Sequence, residues 1–185
     1  MRRLSQFAVP PAALLLILAA TACSKEEAKP PPPGTKLCGT MASWWFDATG
    51  DNDLSGRLRG ELPLKNPTQM QYTTATATCF VYSGKKQIGS FLASVPPADN
   101  VTNAAAQIAE RPVDRRFTSA GGKGMVEPNS KDDGAEAWWT CKSALLDIKV
   151  ERLKDAKKRV ELTKTLGKRV ASVVGCPRLV PARSD

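Results

Sequence analysis

Four acidic side chains are, by residue type alone, the candidates for catalysis in this sequence. They are Asp132, Asp133, Glu136 and Asp147. Paired carboxylates can hydrolyse glycosidic bonds, because one protonates the leaving oxygen while the other acts as nucleophile or base. Nothing in the sequence places these four around a cleft. A cell-wall hydrolase of the glycoside type is therefore the alternative hypothesis, and no catalytic residue is assigned.

Histidine is absent from the chain, which excludes the catalytic and metal sites that depend on it. Without it there is neither a Ser-His-Asp triad nor a histidine metal site. The cysteines form no Cys-x-x-Cys pair, so the pattern typical of zinc binding is also missing. We therefore expect no metal and no cofactor, and a protein that is not an enzyme.

The cysteines of the main part of the chain indicate disulfide bonds. Cys38, Cys79, Cys141 and Cys176 are separated by 41, 62 and 35 residues. An even number of cysteines is typical of a disulfide framework in an exported chain, because nothing outside the cytoplasm keeps thiols reduced. The sequence therefore predicts two disulfides.

The predicted pairing joins Cys38 to Cys79 and Cys141 to Cys176, so that each bridge ties a helical segment to a strand. Cys141 ends a predicted strand, and the last predicted helix brings Cys176 back toward the sheet. Cys38 precedes the Trp44-Trp45 segment, whose rings need a large apolar surface such as the strand around Cys79. The rival pairing is Cys38 with Cys176 and Cys79 with Cys141.

Two tryptophan pairs, Trp44-Trp45 and Trp138-Trp139, are candidates for packing and for ligand contact. Neighbouring residues of a strand point to opposite faces, so Trp138 and Trp139 lie on different sides of a sheet. An exposed tryptophan could stack on a sugar ring, and Trp45 and Trp138 are the candidates for that role. Packing in the core is the favoured alternative, since large aromatic side chains most often serve it.

A basic helix face is the main electrostatic feature of a chain whose formal net charge is +9. Lys157, Lys164 and Lys168 share one side of the last predicted helix. Such a face could contact anionic lipid headgroups or a cell-wall polymer. A solvated outer face is the favoured alternative, because amphipathic helices usually carry charges there. No nucleic-acid recognition motif accompanies the charge, so nucleic acid is not an expected partner.

The local patterns predict an α+β fold, with an antiparallel sheet, two main helices and two disulfides. Strands are expected over residues 57–64, 71–82, 87–95, 135–140 and 145–152. Helices are expected over 99–110 and 156–174, with a short helix or turn over 37–48 and a glycine-rich loop over 119–124. This order is a strand-strand-helix pattern that occurs twice, which favours α+β over a parallel α/β fold.

The first residues are typical of a secretory signal peptide, expected over residues 1–22. Arg2-Arg3 precede an uncharged run over residues 8–22, which is too short to span ~30 Å of hydrocarbon as a helix. Small residues end this run, as they do before a cleavage site. Ala20-Thr21-Ala22-Cys23 fits a lipobox, which predicts that Cys23 becomes a lipid-modified N-terminus. An ordinary signal peptide with a chance cysteine is the alternative.

The segments after the signal peptide define the expected domain organisation. Residues 23–37 form a polar tether whose four consecutive prolines, at 30–33, favour a semi-rigid polyproline II spacer. Residues 38–177 are long enough to form a single α+β domain. Residues 178–185 remain as a C-terminal tail.

Five features of the chain occur together in one class of proteins. They are the lipobox, the proline spacer, Leu37-Cys38-Gly39, Cys79 in a long strand, and a final amphipathic helix. In this combination the chain resembles small actinobacterial lipoproteins of unknown function. The resemblance implies a place on the extracytoplasmic face of the cell membrane and a rough fold, and it implies no activity. We therefore predict a lipid-anchored extracytoplasmic binding or accessory protein of the bacterial cell envelope, whose ligand and protein partner are unknown.

Overall fold

A seven-stranded antiparallel sheet organises the part of the chain that the computed structural model describes, residues 28–60, 76–129 and 133–176. The strands are β1 (Lys36–Leu37), β2 (Thr40–Met41), β3 (Leu54–Arg59), β4 (Thr76–Ser83), β5 (Lys86–Ser94), β6 (Arg116–Ser119), β7 (Gly122–Pro128), β8 (Ala135–Cys141) and β9 (Ala144–Val150). The helices are α1 (Ala42–Thr49), α2 (Ala98–Glu110) and α3 (Arg159–Val174), with 3-10 turns over Val113–Arg115 and Ala156–Lys158. The predicted signal peptide, Cys23 and the C-terminal tail lie outside the described residues.

The sheet is assembled from two antiparallel meanders. Its strand order is β3-β4-β5-β9-β8-β7-β6. After β5 the chain passes through α2 to the far edge of the sheet. It then returns strand by strand until β9 pairs with β5, in the middle. The small β1–β2 hairpin forms a separate two-stranded sheet, which packs against β3. The predicted α+β class and its antiparallel sheet are confirmed.

The front face of the sheet, defined here as the face that carries Phe91, Trp139 and Leu146, forms the main core. These three side chains are at most 1% exposed. On this side α3 packs against β6, β7 and β8, and α1 packs against α3. Leu166 of α3 and Trp45 of α1 belong to the same buried cluster. Burial of these large apolar side chains is the main source of stability of the fold.

The back face is covered by α2, which packs against β7 and β8. Val101, Ala104 and Ile108 are the buried residues of this helix, and they recur at helical spacing. Arg111, directly after α2, forms a 2.7 Å ion pair with Glu127 of β7. Because β7 and β8 are at one end of the sheet, α2 leaves much of the back face of the other strands open.

Both predicted disulfides are present. Cys38 is bonded to Cys79 with a Cα–Cα distance of 5.9 Å, and Cys141 to Cys176 with a Cα–Cα distance of 5.4 Å. The first bridge fixes the β1–β2 turn to β4, and the second fixes the chain after α3 to the end of β8. The rival pairing is excluded by this structure.

The prediction of a glycine-rich loop over residues 119–124 is wrong, because these residues form the turn of the β6–β7 hairpin and the adjoining ends of both strands. Its turn has φ 47° at Ala120 and 79° at Gly121, as in a type I′ hairpin turn. A Cβ at Gly124 would lie 2.3 Å from Cζ of Phe117. These glycines therefore serve a tight turn and a close packing contact, and they do not mark a loop.

The other predicted elements differ from the structure mainly at their ends. The first predicted strand begins earlier, at Leu54, and the segment over 37–48 becomes a hairpin followed by α1. The last helix begins with a 3-10 turn, in which the carboxylate of Asp155 accepts a hydrogen bond from the amide of Lys157 at 2.9 Å. Residues 61–64 and 71–75 of the predicted strands lie outside the described residues.

Candidate functional site

The candidate site is the back face of the sheet from β3 to β8, which α2 covers only at its β8 end. It is called the open face below. Directly paired residues of neighbouring strands share a face of the sheet. Trp138 is paired with Asp147, and Asp147 with Leu92, so the three form a row across β8, β9 and β5. The residues of the open face are Arg57, Arg59, Thr78, Phe80, Ser90, Leu92, Glu136, Trp138, Asp147 and Lys149.

Two of the four acidic residues singled out in the sequence meet on the open face. Glu136 and Asp147 are diagonal neighbours on β8 and β9. Burial raises the pKa of Asp147 from 3.8 to about 7, and the charge of Glu136 and a side-chain hydrogen bond with it add to the rise. Lys149 acts in the opposite direction. At neutral pH the Asp147 carboxyl is therefore close to half protonated.

One oxygen of this pair has no hydrogen-bond partner. Oδ1 of Asp147 is buried and unpaired among the described residues. Glu136, in contrast, has Lys149 directly opposite, with Nζ 3.6 Å from its Oε1. A buried carboxyl oxygen without a partner is unfavourable in a folded chain. The row therefore offers an unused polar atom between two large apolar side chains, Trp138 and Leu92.

The arrangement of the acidic side chains bears on the hydrolase hypothesis. In glycoside hydrolases the catalytic carboxyl groups are about 5–9.5 Å apart, because the bond being cleaved lies between them. Glu136 and Asp147 are diagonal neighbours on adjacent strands, and Glu136 also forms an ion pair with Lys149. Asp133 is exposed, and its backbone carbonyl accepts the amide of Leu153. Asp132 lies outside the described residues. Among the described residues of this set, Glu136 and Asp147 are thus the pair that lies together, beside Trp138.

The stacking hypothesis for Trp45 is wrong, because this side chain is 0% exposed. Its ring lies against β5, where a Cβ at Gly89 would be 2.8 Å from Cζ3 of the indole. Its Nε1 donates to Oγ1 of Thr40 at 3.2 Å. The core alternative considered for this tryptophan is the correct one.

Trp138 is the member of the second tryptophan pair that lies on the open face. Trp139 is 0% exposed on the front face, whereas Trp138 is half-buried on the back face. Its direct partners are Asp147 on one side and Met125 on the other. Trp138 therefore remains the candidate aromatic residue of the site.

The three predicted lysines do not form one free basic face. Lys157 is exposed but belongs to the 3-10 turn before α3, and Lys168 is exposed on α3 itself. Lys164 is half-buried, and its ammonium donates to the carbonyl of Asp114. The three lysines were expected to share a face because a continuous helix was predicted over residues 156–174. The structure leaves Lys157 and Lys168 for contact with an anionic surface.

The arginines and the leucine of the open face were missed by sequence reasoning. Leu92 is 36% exposed, and the guanidinium carbon of Arg59 lies 5.4 Å from the ring centroid of Phe80. Leu92 and Arg59 each belong to a strand in which alternate residues face away from the core. This alternation is the sequence signal that could have indicated their position. That signal does not show that β5 pairs with β9, and this pairing is what brings Leu92 beside Asp147.

Comparison with known proteins identifies no relative of this chain. No family model, no curated protein and no solved structure matches the chain. Among the described helices, none is both long and apolar enough to cross a membrane. The resemblance to small lipoproteins therefore stays a prediction from the sequence.

Proposed function

We propose that the protein is a lipid-anchored binding or accessory protein on the extracytoplasmic face of a bacterial cell membrane. The observation that carries this proposal is the open face, where a seven-stranded sheet has one face closed by a core and the other left partly uncovered. On it Trp138, Leu92 and the unpaired Asp147 oxygen adjoin one another. Apolar surface beside a few polar groups is the usual composition of a binding site.

Two further features support a location outside the cytoplasm. The Cys38–Cys79 and Cys141–Cys176 disulfides join distant segments, and such bonds persist where thiols are not kept reduced. The sequence that ends at Cys23 fits a lipobox. Acylation there would hold the domain at the membrane, with the proline spacer between anchor and sheet.

Lys157 and Lys168 favour an anionic surface as one partner of this protein. Both are exposed, and the formal net charge of the chain is +9. Basic residues close to a membrane each add about 1 kcal/mol of attraction to anionic lipids. A cell-wall polymer that carries phosphate or carboxylate groups presents the same chemistry.

A glycoside-type hydrolase is the second candidate function, because Asp147 with a pKa of about 7 beside Glu136 resembles an acid–base pair. The ion pair of Glu136 with Lys149 favours binding over cleavage, because it already engages one of the two carboxylates. A reducing-end assay on purified cell-wall polymer distinguishes the two. Release of sugar ends by the wild type, abolished by Asp147→Asn, would support the hydrolase.

The binding proposal is tested by co-sedimentation of the Cys23→Ala protein, which lacks the proposed acylation site. The probes are insoluble cell-wall polymer and vesicles of an anionic phospholipid. We expect the protein to pellet with at least one probe, and Trp138→Ala to weaken pelleting with the polymer. Val113→Ala is the matched control, because Val113 is 75% exposed and outside the open face. Failure to pellet with either probe would argue against the proposal.

A further inference from the structure

We propose that the free edge of β3 binds an extended, acidic segment of a partner protein as an eighth strand of the sheet. The inference rests on the proposed binding function and names the kind of partner. Addition of a strand to a sheet edge is a common mode of peptide recognition, in which the backbone supplies the hydrogen bonds.

The outer side of β3 is available for such pairing. β3 is the first strand of the order β3-β4-β5-β9-β8-β7-β6, and within the described ranges no strand pairs with its outer side. Its residues from Ser55 to Arg59 are all exposed. An unpaired edge of six residues presents a row of N–H and C=O groups to an incoming chain.

The other edge strand of the sheet, β6, is protected from pairing. This leaves β3 as the edge that is available to a partner strand. β6 has only four residues. The carbonyl of Ser119 accepts Nε1 of Trp139 at 2.9 Å, and the Ser119 hydroxyl donates to the carbonyl of Lys168 at 2.8 Å. Short length and cover by a packed helix protect a sheet edge, and α3 packs against β6. β3 is two residues longer, and its exposed Arg57 and Arg59 oppose a like-charged strand while admitting an oppositely charged one.

The edge is also held in place before any partner binds. Leu58 of β3 is paired with Cys79 of β4, and Cys79 is disulfide-bonded to Cys38. A Cβ at Gly56 would lie 3.1 Å from Sγ of Cys38, so the disulfide packs directly against β3. A strand that is already ordered loses less conformational entropy when a partner pairs with it.

The positive charge of β3 favours an acidic partner segment. Arg57 and Arg59 are exposed on the back side of β3, two residues apart. A second copy of β3 in antiparallel pairing would bring arginines against arginines, and like charges across strands are destabilising. An extended segment with acidic residues at alternate positions would instead place a carboxylate beside each arginine, while its other side chains lie near Leu58, which is 42% exposed.

The test measures binding of labelled octapeptides to the full-length protein in mild detergent by fluorescence anisotropy. The probe alternates glutamate with threonine, and its counterpart alternates lysine with threonine. We expect the acidic peptide to bind. The double variant Arg57→Glu/Arg59→Glu should bind it at least ~10-fold more weakly and should gain binding of the basic peptide. Lys142→Glu/Lys158→Glu is the matched control, because both lysines are exposed and lie away from β3; it makes the same change in charge and should bind as the wild type does.

Backbone pairing is tested with two peptides that are N-methylated at alternate residues, one at the glutamates and one at the threonines. Successive N–H groups of an extended strand point to opposite edges, so one of these peptides should lose binding and the other should keep it. Equal binding of both would overturn strand addition, as would equal loss in the two charge-reversed proteins. Self-association of the wild type through β3 would overturn the choice of occupant. None of these outcomes depends on acylation of Cys23, so the proposed anchor is tested separately.

Discussion

Trp138 and Asp147 are direct cross-strand partners on β8 and β9, and they project from the face of the sheet opposite the main core. Burial raises the pKa of this carboxyl to about 7. The pair therefore joins an aromatic surface to a group that changes charge near neutral pH.

Replacement of Asp147 by asparagine should remove a pH dependence of stability. With a pKa of about 7 in the folded chain and an ordinary value of 3.8, the folded state holds a proton that the unfolded state has lost. The contribution is complete below about pH 4 and is lost as the pH rises through 7. Because this carboxyl is partly solvated, we expect Asp147→Asn to be more stable than the wild type at pH 8 by about 1–2 kcal/mol.

Urea unfolding between pH 4 and pH 8 measures this effect. The matched control is Asp133→Asn, since Asp133 is exposed at the end of a loop beside β8. Its pH profile should follow that of the wild type. A wild-type stability that rises between pH 5 and pH 8, with an unchanged slope in Asp147→Asn, would contradict the raised pKa.

The two tryptophans proposed for stacking should differ sharply when replaced. Trp45→Ala removes a fully buried ring and should cost roughly 3–5 kcal/mol of unfolding free energy. Trp138→Ala removes a half-buried ring and should cost less than half as much. Chemical denaturation gives both values, and similar costs would show that Trp138 is also a core residue.

Gly124→Ala should destabilise the protein far more than Gly167→Ala. A Cβ at Gly124 meets Cζ of Phe117 at 2.3 Å and the carbonyl of Trp138 at 2.6 Å, whereas a Cβ at Gly167 meets nothing closer than 3.1 Å. Gly167 lies within α3, where alanine gains about 1 kcal/mol of helix propensity. We expect a loss above about 2 kcal/mol for Gly124→Ala and within about 1 kcal/mol of zero for Gly167→Ala. Equal melting temperatures would argue against the β6–β7 hairpin.

Each disulfide should contribute measurably to stability. The bridges close loops of 41 and 35 residues, so removal of either by a double serine substitution should cost roughly 2–4 kcal/mol. Peptide mapping without reduction should yield one Cys38–Cys79 peptide and one Cys141–Cys176 peptide. A Cys79–Cys141 peptide would refute this connectivity.

Local patterns were enough to predict much of this fold. The hairpin of β4 and β5 follows from β-branched and aromatic residues around a Ser83-Gly84 turn, and both main helices follow from apolar periodicity. The β6–β7 hairpin was missed because glycine was taken as a loop signal, although Gly124 is required by the ring of Phe117.

The candidate site was only partly predictable. Glu136, Trp138 and Asp147 lie on strands that are joined by a short turn, so their proximity follows from one local hairpin. Leu92 joins them through the pairing of β5 with β9, more than fifty residues apart in the chain. No local pattern contains that pairing, because it depends on α2 carrying the chain across the sheet. The burial of Trp45 depends on the same long-range packing.

Acylation of Cys23 is the property on which the proposed function depends most directly. It is measured by growing bacteria that express the chain with an alkyne-tagged palmitate, followed by fluorophore coupling and membrane fractionation. Wild type and a Ser24→Ala control should carry the label and sediment with membranes. Detergent should release them and high salt should not, because each buried CH₂ of an acyl chain contributes ~0.8 kcal/mol. Cys23→Ala should carry no label and should leave the membrane fraction. A Cys23→Ala protein that stays labelled and membrane-bound to the same extent as the wild type would contradict the lipid anchor.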